Sequence, residues 1–318
     1  MTTPLIQTVD LKKHFSTPGG RLHAVDGVNL SIAAGETLGV VGESGCGKST
    51  LGRVILRLLE ATSGQVLFDG RDIFAYKGRQ IKEMRTRMQI IFQDPYASLN
   101  PRMTVSEIIA EPMHILHTMA NHREVNKKVF RLMHTVGLAG RLVNAYPHEL
   151  DGGRRQRIGI ARALAVDPRF IVCDEPVSAL DVSIQAQILN LLMDMQKDRG
   201  LTYLFISHDL SVVRHISNHV AVMYLGQCVE LCAAGELFAN PLHPYTQALL
   251  AAIPAPDPDL RMGEVIQGEV TSPIAPPPGC RFAGRCKYRD EGCTGSSIPF
   301  REASPGHYVM CKKAAECS

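Results

Sequence analysis

Thr37-Leu38-Gly39-Val40-Val41 is an unbroken apolar run, short enough for a strand buried on both faces. Upstream, residues 3–40 read as short strands separated by turns, with a hairpin tip at Thr17-Pro18-Gly19-Gly20 and a turn at Ala33-Ala34-Gly35-Glu36. Downstream, a helix is expected from Lys48 to about Leu59, then a strand and turn over Ser63–Gly70. Between about 102 and 147, Ile108, Ile109, Ile115, Leu116, Val129, Leu132, Met133 and Val136 recur at helical spacing up to a break at Gly137, which predicts a helical insertion. A second β–α–β stretch follows, with strands near Phe170–Cys173 and Thr202–Ile206 around a helix at about Ser183–Asp198. Pro244 suits the first turn of a further helix running through Gln247–Ile253. From Pro254 the chain turns proline-rich and both periodicities stop, so the main boundary is placed there, giving units 1–253 and 254–318.

Composition fits this picture. A chain of 318 residues with 45% hydrophobic content can bury one large core and carry a smaller unit. Lys and Arg number 34 against 31 Asp and Glu, too balanced to suggest nucleic acid or an anionic membrane surface as partner. The N-terminal Met-Thr-Thr-Pro-Leu-Ile-Gln lacks the features of a secretory signal, and no apolar run reaches the roughly 18–20 residues that span a bilayer. A cytoplasmic protein is expected, one that meets a membrane only by docking on other subunits. In a reducing compartment, nine cysteines with four crowded near the C-terminus suggest metal ligation rather than disulfides.

The chemistry begins at Gly42-Glu43-Ser44-Gly45-Cys46-Gly47-Lys48-Ser49, followed by Thr50. It fits G-x-x-x-x-G-K-[ST] and sits between a strand and a helix, the context that a phosphate-binding loop requires. Its glycines let backbone N–H groups turn toward phosphate, Lys48 can reach the β/γ oxygens, and Ser49 can ligate Mg²⁺. Phe170-Ile171-Val172-Cys173-Asp174-Glu175 delivers two adjacent carboxylates at the C-terminal end of an apolar strand, where α/β folds place ligands. Asp174 suits a water-mediated Mg²⁺ contact, and Glu175 a base that polarises the attacking water.

With these in place, Leu150-Asp151-Gly152-Gly153-Arg154-Arg155-Gln156-Arg157 resembles the LSGGQ signature of ABC ATPases. The stretch 5–250 resembles their cassette, most closely the oligopeptide/dipeptide/nickel importer branch. The resemblance implies a P-loop NTPase fold of α/β class: a RecA-like core with an N-terminal antiparallel β-subdomain, a helical subdomain at about 95–155, and a small Cys-rich C-terminal extension. It also implies ATP and Mg²⁺ as ligands. Phe15 falls where the family stacks an aromatic on adenine, and Gln93 resembles the Q-loop glutamine that senses Mg²⁺ or the lytic water. Ser178-Ala179-Leu180-Asp181 resembles the D-loop, and His208 the switch histidine.

The family pairs two cassettes head to tail, so that Asp151, Gly152, Gly153 and Arg154 would face the partner's nucleotide. Here the family's serine is Asp151 and its final glutamine Arg154. A carboxylate about 4 Å from a γ-phosphate would cost on the order of 4 kcal/mol at an effective dielectric near 20. The alternative is that Asp151 caps its helix or pairs with Arg154 or Arg155. A second, homologous ATPase subunit with unequal sites is therefore expected. So are two transmembrane permease subunits, and through them an extracytoplasmic substrate-binding protein, with the chain peripheral on the cytoplasmic face of the membrane.

Pro241-Leu242-His243-Pro244-Tyr245-Thr246 resembles an element of the peptide-importer branch, and so does the cysteine tail behind it. Cys280, Cys286, Cys293 and Cys311 could close a tetrahedral zinc site or, as the resemblance implies, hold a [4Fe-4S] cluster. The C-x2–4-C knuckles usual for zinc are missing, and Cys317 competes with Cys311 for the fourth place. Cys46, Cys173, Cys228 and Cys232 read as loop or core residues. The function expected is an importer ATPase powering uptake of oligopeptides or dipeptides, with nickel or another small solute as alternative cargo. A soluble ABC ATPase acting on DNA or ribosomes, or a subunit that binds ATP without hydrolysing it, are the competing readings.

Overall fold

The computed structural model describes residues 4–119, 121–252 and 272–314. The first part of the chain forms β1 (Ile6–Thr17), β2 (Gly20–Ile32), β3 (Thr37–Val41), α1 (Lys48–Ile55), β4 (Ser63–Phe68), β5 (Arg71–Asp72), α2 (Arg79–Arg87) and β6 (Met88–Ile91). Four helices follow, α3 (Pro95–Ser98), α4 (Val105–Ile115), α5 (His122–Thr135) and α6 (Gly152–Leu164). Next come β7 (Phe170–Asp174), α7 (Val182–Arg199), β8 (Thr202–Ile206), α8 (Leu210–Ile216), β9 (His219–Tyr224), β10 (Gln227–Ala233), α9 (Ala234–Ala239) and α10 (Pro244–Ala251). The tail adds β11 (Arg301–Ser304) and β12 (His307–Val309).

The expected hairpin at Thr17–Gly20 joins β1 and β2, which pair antiparallel in a four-stranded sheet of order β2-β1-β4-β5. The larger sheet has the order β11-β12-β10-β9-β3-β8-β7-β6. At its centre β3 is parallel to both β8 and β9, and all five of its residues are buried. Burial on both faces is why these strands read as continuous apolar runs. Successive residues still go to opposite cores: Tyr203 and Phe205 pack with the helical insertion, while Leu204 and Ile206 pack with α1 and the small sheet.

The strands expected to be short over 3–40 are long, 12 residues in β1 and 13 in β2, and two further expectations shift. The first helix ends at Ile55 instead of near Leu59, because Arg57 turns left-handed (φ 52°). Its guanidinium ties that turn down by donating to the carbonyls of Ile73 and Tyr76, each at 2.9 Å. Glycine normally marks such a turn, so the sequence carries no signal here. The second shift concerns the tail, where the sequence shows no periodicity: β12 pairs with β10, Glu230 opposite Val309, and so joins the main sheet. Short strands on a sheet edge need little alternation of their own. The boundary at 254 and the end of the helix expected at Gln247–Ile253 lie at the edge of the described residues, which resume at 272.

Candidate nucleotide site

The loop after β3 turns on glycines that no other residue could replace. Gly42 (φ 148°) and Gly47 (φ 104°) both lie in the left-handed half of backbone space. A Cβ on Gly47 would sit 1.9 Å from the Ala24 carbonyl oxygen, and one on Gly42 2.2 Å from that of Met223. Lys48, 4% exposed, opens α1 and folds back so that Nζ donates to the carbonyls of Gly42 (2.7 Å) and Glu43 (3.0 Å). Its charge is thus held at the mouth of the loop.

Three parallel strands deliver the other groups. From β7 come Asp174, which accepts a 2.6 Å hydrogen bond from Ser49 Oγ, and Glu175, whose backbone is left-handed at φ 47°. Burial raises the Asp174 carboxyl above the usual carboxylate range, a cost that a cation bound beside it would remove. Gln93, just beyond β6, donates from Nε2 to Glu175 Oε2 at 2.9 Å. His208, just beyond β8, places Nδ1 3.2 Å from the same oxygen. Both contacts fall on Oε2, which leaves Oε1 able to accept a proton from water. Ser49 and Asp174 fit a Mg²⁺ site, with one hydroxyl and one buried carboxylate in contact.

Gln93, Glu175 and His208 line an open cleft of about 550 Å³, which Phe15 flanks from the small sheet; Asp174 is buried and meets it through the hydrogen bond from Ser49. Ser44, Gly45, Gly47, Lys48, Ser49 and Thr50 line it directly. Gly42, Glu43 and Cys46 belong to the same loop but stand behind its surface, Cys46 with its thiol pushed up by burial. Sequence reasoning missed Leu22, His23, Ala24, Leu225 and Pro273, which complete the walls. No local pattern marks them, because they reach the cleft only when β2 and the β9–β10 turn close over the loop and Pro273, held by the His23 N–H at 3.1 Å, packs beside β2.

The signature lies outside this cleft. Asp151 is the N-cap of α6: its Oδ1 accepts from the Arg154 N–H at 2.8 Å, and its Oδ2 lies 3.3 Å from the Arg154 guanidinium. Within the chain Asp151 thus caps α6 and pairs with Arg154 at once. Gly153 packs tightly on α7, where an added Cβ would lie 2.8 Å from Ile184.

Cys280, Cys286, Cys293 and Cys311 come together around one small apolar cavity with Phe282 and Ile298. Burial raises the Cys286 and Cys311 thiols and pushes Cys280 up to about 11, with the neighbouring cysteines adding to each shift. Cys317 lies outside the described residues. Cys173, Cys228 and Cys232 are core thiols and Cys46 a buried loop thiol, as expected.

A phosphate loop, an acid pair and a strand-end histidine around one cleft define an ATP-binding cassette, and ATPase is its activity. Comparison with known proteins agrees. The family described as ABC transporter matches residues 25–178, and that described as oligopeptide/dipeptide transporter, C-terminal region, matches 229–293. The chain is 54% identical to the oligopeptide transport ATP-binding protein OppF of Bacillus subtilis, over 99% of this chain and 98% of the relative. It is 52% identical to the Escherichia coli protein of the same name, over 97% and 96%. Among solved structures, cbiO1 of Clostridium perfringens, part of an ABC transporter complex, superposes with a TM-score of 0.66 at 29% identity, over 75% of this chain and 92% of that one. An ATP-binding cassette dimer in a post-hydrolysis state with ADP and Pi gives 0.66 at 28%, over 72% and 98%. The chain belongs to the family of oligopeptide transport ATP-binding proteins.

Proposed function

We propose that this chain is the ATP-hydrolysing subunit of an importer that takes oligopeptides across the cytoplasmic membrane. Its near-complete alignment with the oligopeptide transport proteins, over 99% of its length, carries that reading. Among the described residues no helix is long and apolar enough to cross a membrane, consistent with a peripheral subunit that docks on two permease subunits fed by a substrate-binding protein outside the cell. Residues 1–253 act as the cassette, with 95–155 its helical part, and 254–318 as an extension. Disrupting the gene should abolish uptake of a labelled tetrapeptide, with recovery by the intact gene but not by Lys48→Ala. Unchanged peptide uptake together with loss of nickel uptake would move the cargo to the metal.

Within the site, Phe15 would stack on adenine and the loop residues from Gly42 to Thr50 would take the phosphates. Ser49 and Asp174 would hold Mg²⁺, with Gln93 sensing it. Glu175 acts as base toward water, and His208 steadies it while donating to the γ-phosphate. Bound Mg²⁺ supplies charge neutralisation. The capped, charged Asp151 in place of a serine supports pairing with a second homologous ATPase subunit and unequal sites. Glu175→Gln here should silence the assembled complex more than the equivalent change in the partner; equal losses would remove the asymmetry.

The four tail cysteines are read as ligands of a [4Fe-4S] cluster. The absence of the C-x2–4-C knuckles usual for zinc supports that reading over a zinc site. Purification without oxygen should give brown protein with iron and sulfide in equal amounts. Colourless protein carrying stoichiometric zinc would overturn this.

A further inference from the structure

The segment between Cys280 and Cys286 reaches back into the nucleotide site. Arg285, whose side chain is 7% exposed, donates from Nη1 and Nη2 to the two carboxylate oxygens of Glu43 at 2.8 and 3.0 Å, the fork geometry of the strongest ion pairs. Glu43 belongs to the phosphate loop and is gripped at two further points. Its N–H donates to the Tyr245 hydroxyl at 2.8 Å, and its carbonyl accepts from Lys48 Nζ at 3.0 Å. Tyr245 is itself fully buried, in an aromatic cluster with Tyr224 and with Phe282 of the tail, ring centroids 4.6 and 5.4 Å away. Arg281 of the same segment forms an ion pair with Asp26, which also receives His14 and His23 beside the cleft.

We propose that Arg285 is a positioning residue of the ATP site: it reaches in from the C-terminal extension to fix and neutralise the one carboxylate that the phosphate loop itself carries. A loop built to hold a polyanion gains nothing from a free negative charge, and Glu43 is compatible with it because a guanidinium covers both its oxygens. The extension is then part of the nucleotide site in cis, whatever ligand the four cysteines take. Arg285 also links the two: it is the neighbour of Cys286 in sequence and of the loop in space.

The test is equilibrium binding of trinitrophenyl-ATP to the full-length chain in a Glu175→Gln background, so that hydrolysis does not intrude. Arg285→Ala should weaken binding on the order of tenfold, a typical coupling between linked sites. Arg285→Lys, which keeps the charge without the fork, should recover most of the loss. The double variant Glu43→Gln/Arg285→Ala should also recover most of it, because the uncovered charge has gone while the tail remains untethered. A double variant as weak as Arg285→Ala would show that the link only holds the tail in place, and would overturn the proposal. So would an Arg285→Ala chain that binds like its parent. Should Arg285→Ala fail to fold, the Lys variant and the double variant decide on their own.

Discussion

At the scale of single residues, Glu175 carries the sharpest expectation. Gln93 and His208 orient one of its oxygens, at 2.9 and 3.2 Å, and the other is left to take a proton. Glu175→Gln should keep ATP affinity and lower phosphate release by roughly 10²–10⁴-fold, the usual worth of a positioned base; retained turnover would assign the base elsewhere. His243 makes a pH prediction. It is buried, caps α10 by accepting the Tyr245 N–H on Nδ1 at 3.0 Å, and burial pushes its pKa down to about 4. Its folded pKa thus lies below the unfolded value near 6.5, so the unfolded chain binds more protons between those limits. Stability is full above about pH 6.5 and falls as the pH drops toward 4, by as much as about 3 kcal/mol at 1.36 kcal/mol per unit. His243→Asn, which can cap but not titrate, should flatten that part of the denaturation-midpoint profile; an unchanged slope would clear His243.

At the scale of elements, the glycines of the phosphate loop differ from those in open turns. Gly47→Ala would drive a Cβ into the Ala24 carbonyl at 1.9 Å, a backbone atom that moves only if the β1–β2 hairpin moves with it, so ATP binding should be lost. Gly35 has φ 78° but nothing within 4 Å, so Gly35→Ala should cost only about 1–2 kcal/mol in a thermal melt and leave binding intact. The α6 terminus separates cap from charge: Asp151→Asn should hold the helix, whereas Asp151→Ala should lose about 1 kcal/mol of stability. The loop and the strands β3, β7 and β8 were legible in the sequence, because each is set by residues within a few positions of one another, and the cap was one of the readings left open there. The early stop of α1 was not, since the Arg57 turn is held by the carbonyls of Ile73 and Tyr76 beyond the next strand.

At the scale of the whole molecule, the tail completes the fold it follows. β12 adds to β10, Phe282 packs against Tyr224 and Tyr245, and His307 meets the buried Glu230 at 2.7 Å. Ending the chain at 253 would bare the β10 edge and this aromatic cluster. The truncated protein should therefore elute as aggregate in size-exclusion chromatography. A monodisperse, ATP-binding fragment would show that the first 253 residues stand alone.

The class of this protein can be read from its residue order alone. Apolar period, glycine placement and the short motifs around Lys48, Glu175 and Asp151 are local signals, and the chemistry of phosphate binding demands them at fixed spacing. The contacts come only from the folded chain: Gln93 and His208 meet on one oxygen of Glu175, and Arg285 covers Glu43 from 242 positions away. Pairings of that kind depend on how loops at the ends of parallel strands and a distant tail pack together, and no periodicity along the chain encodes that packing.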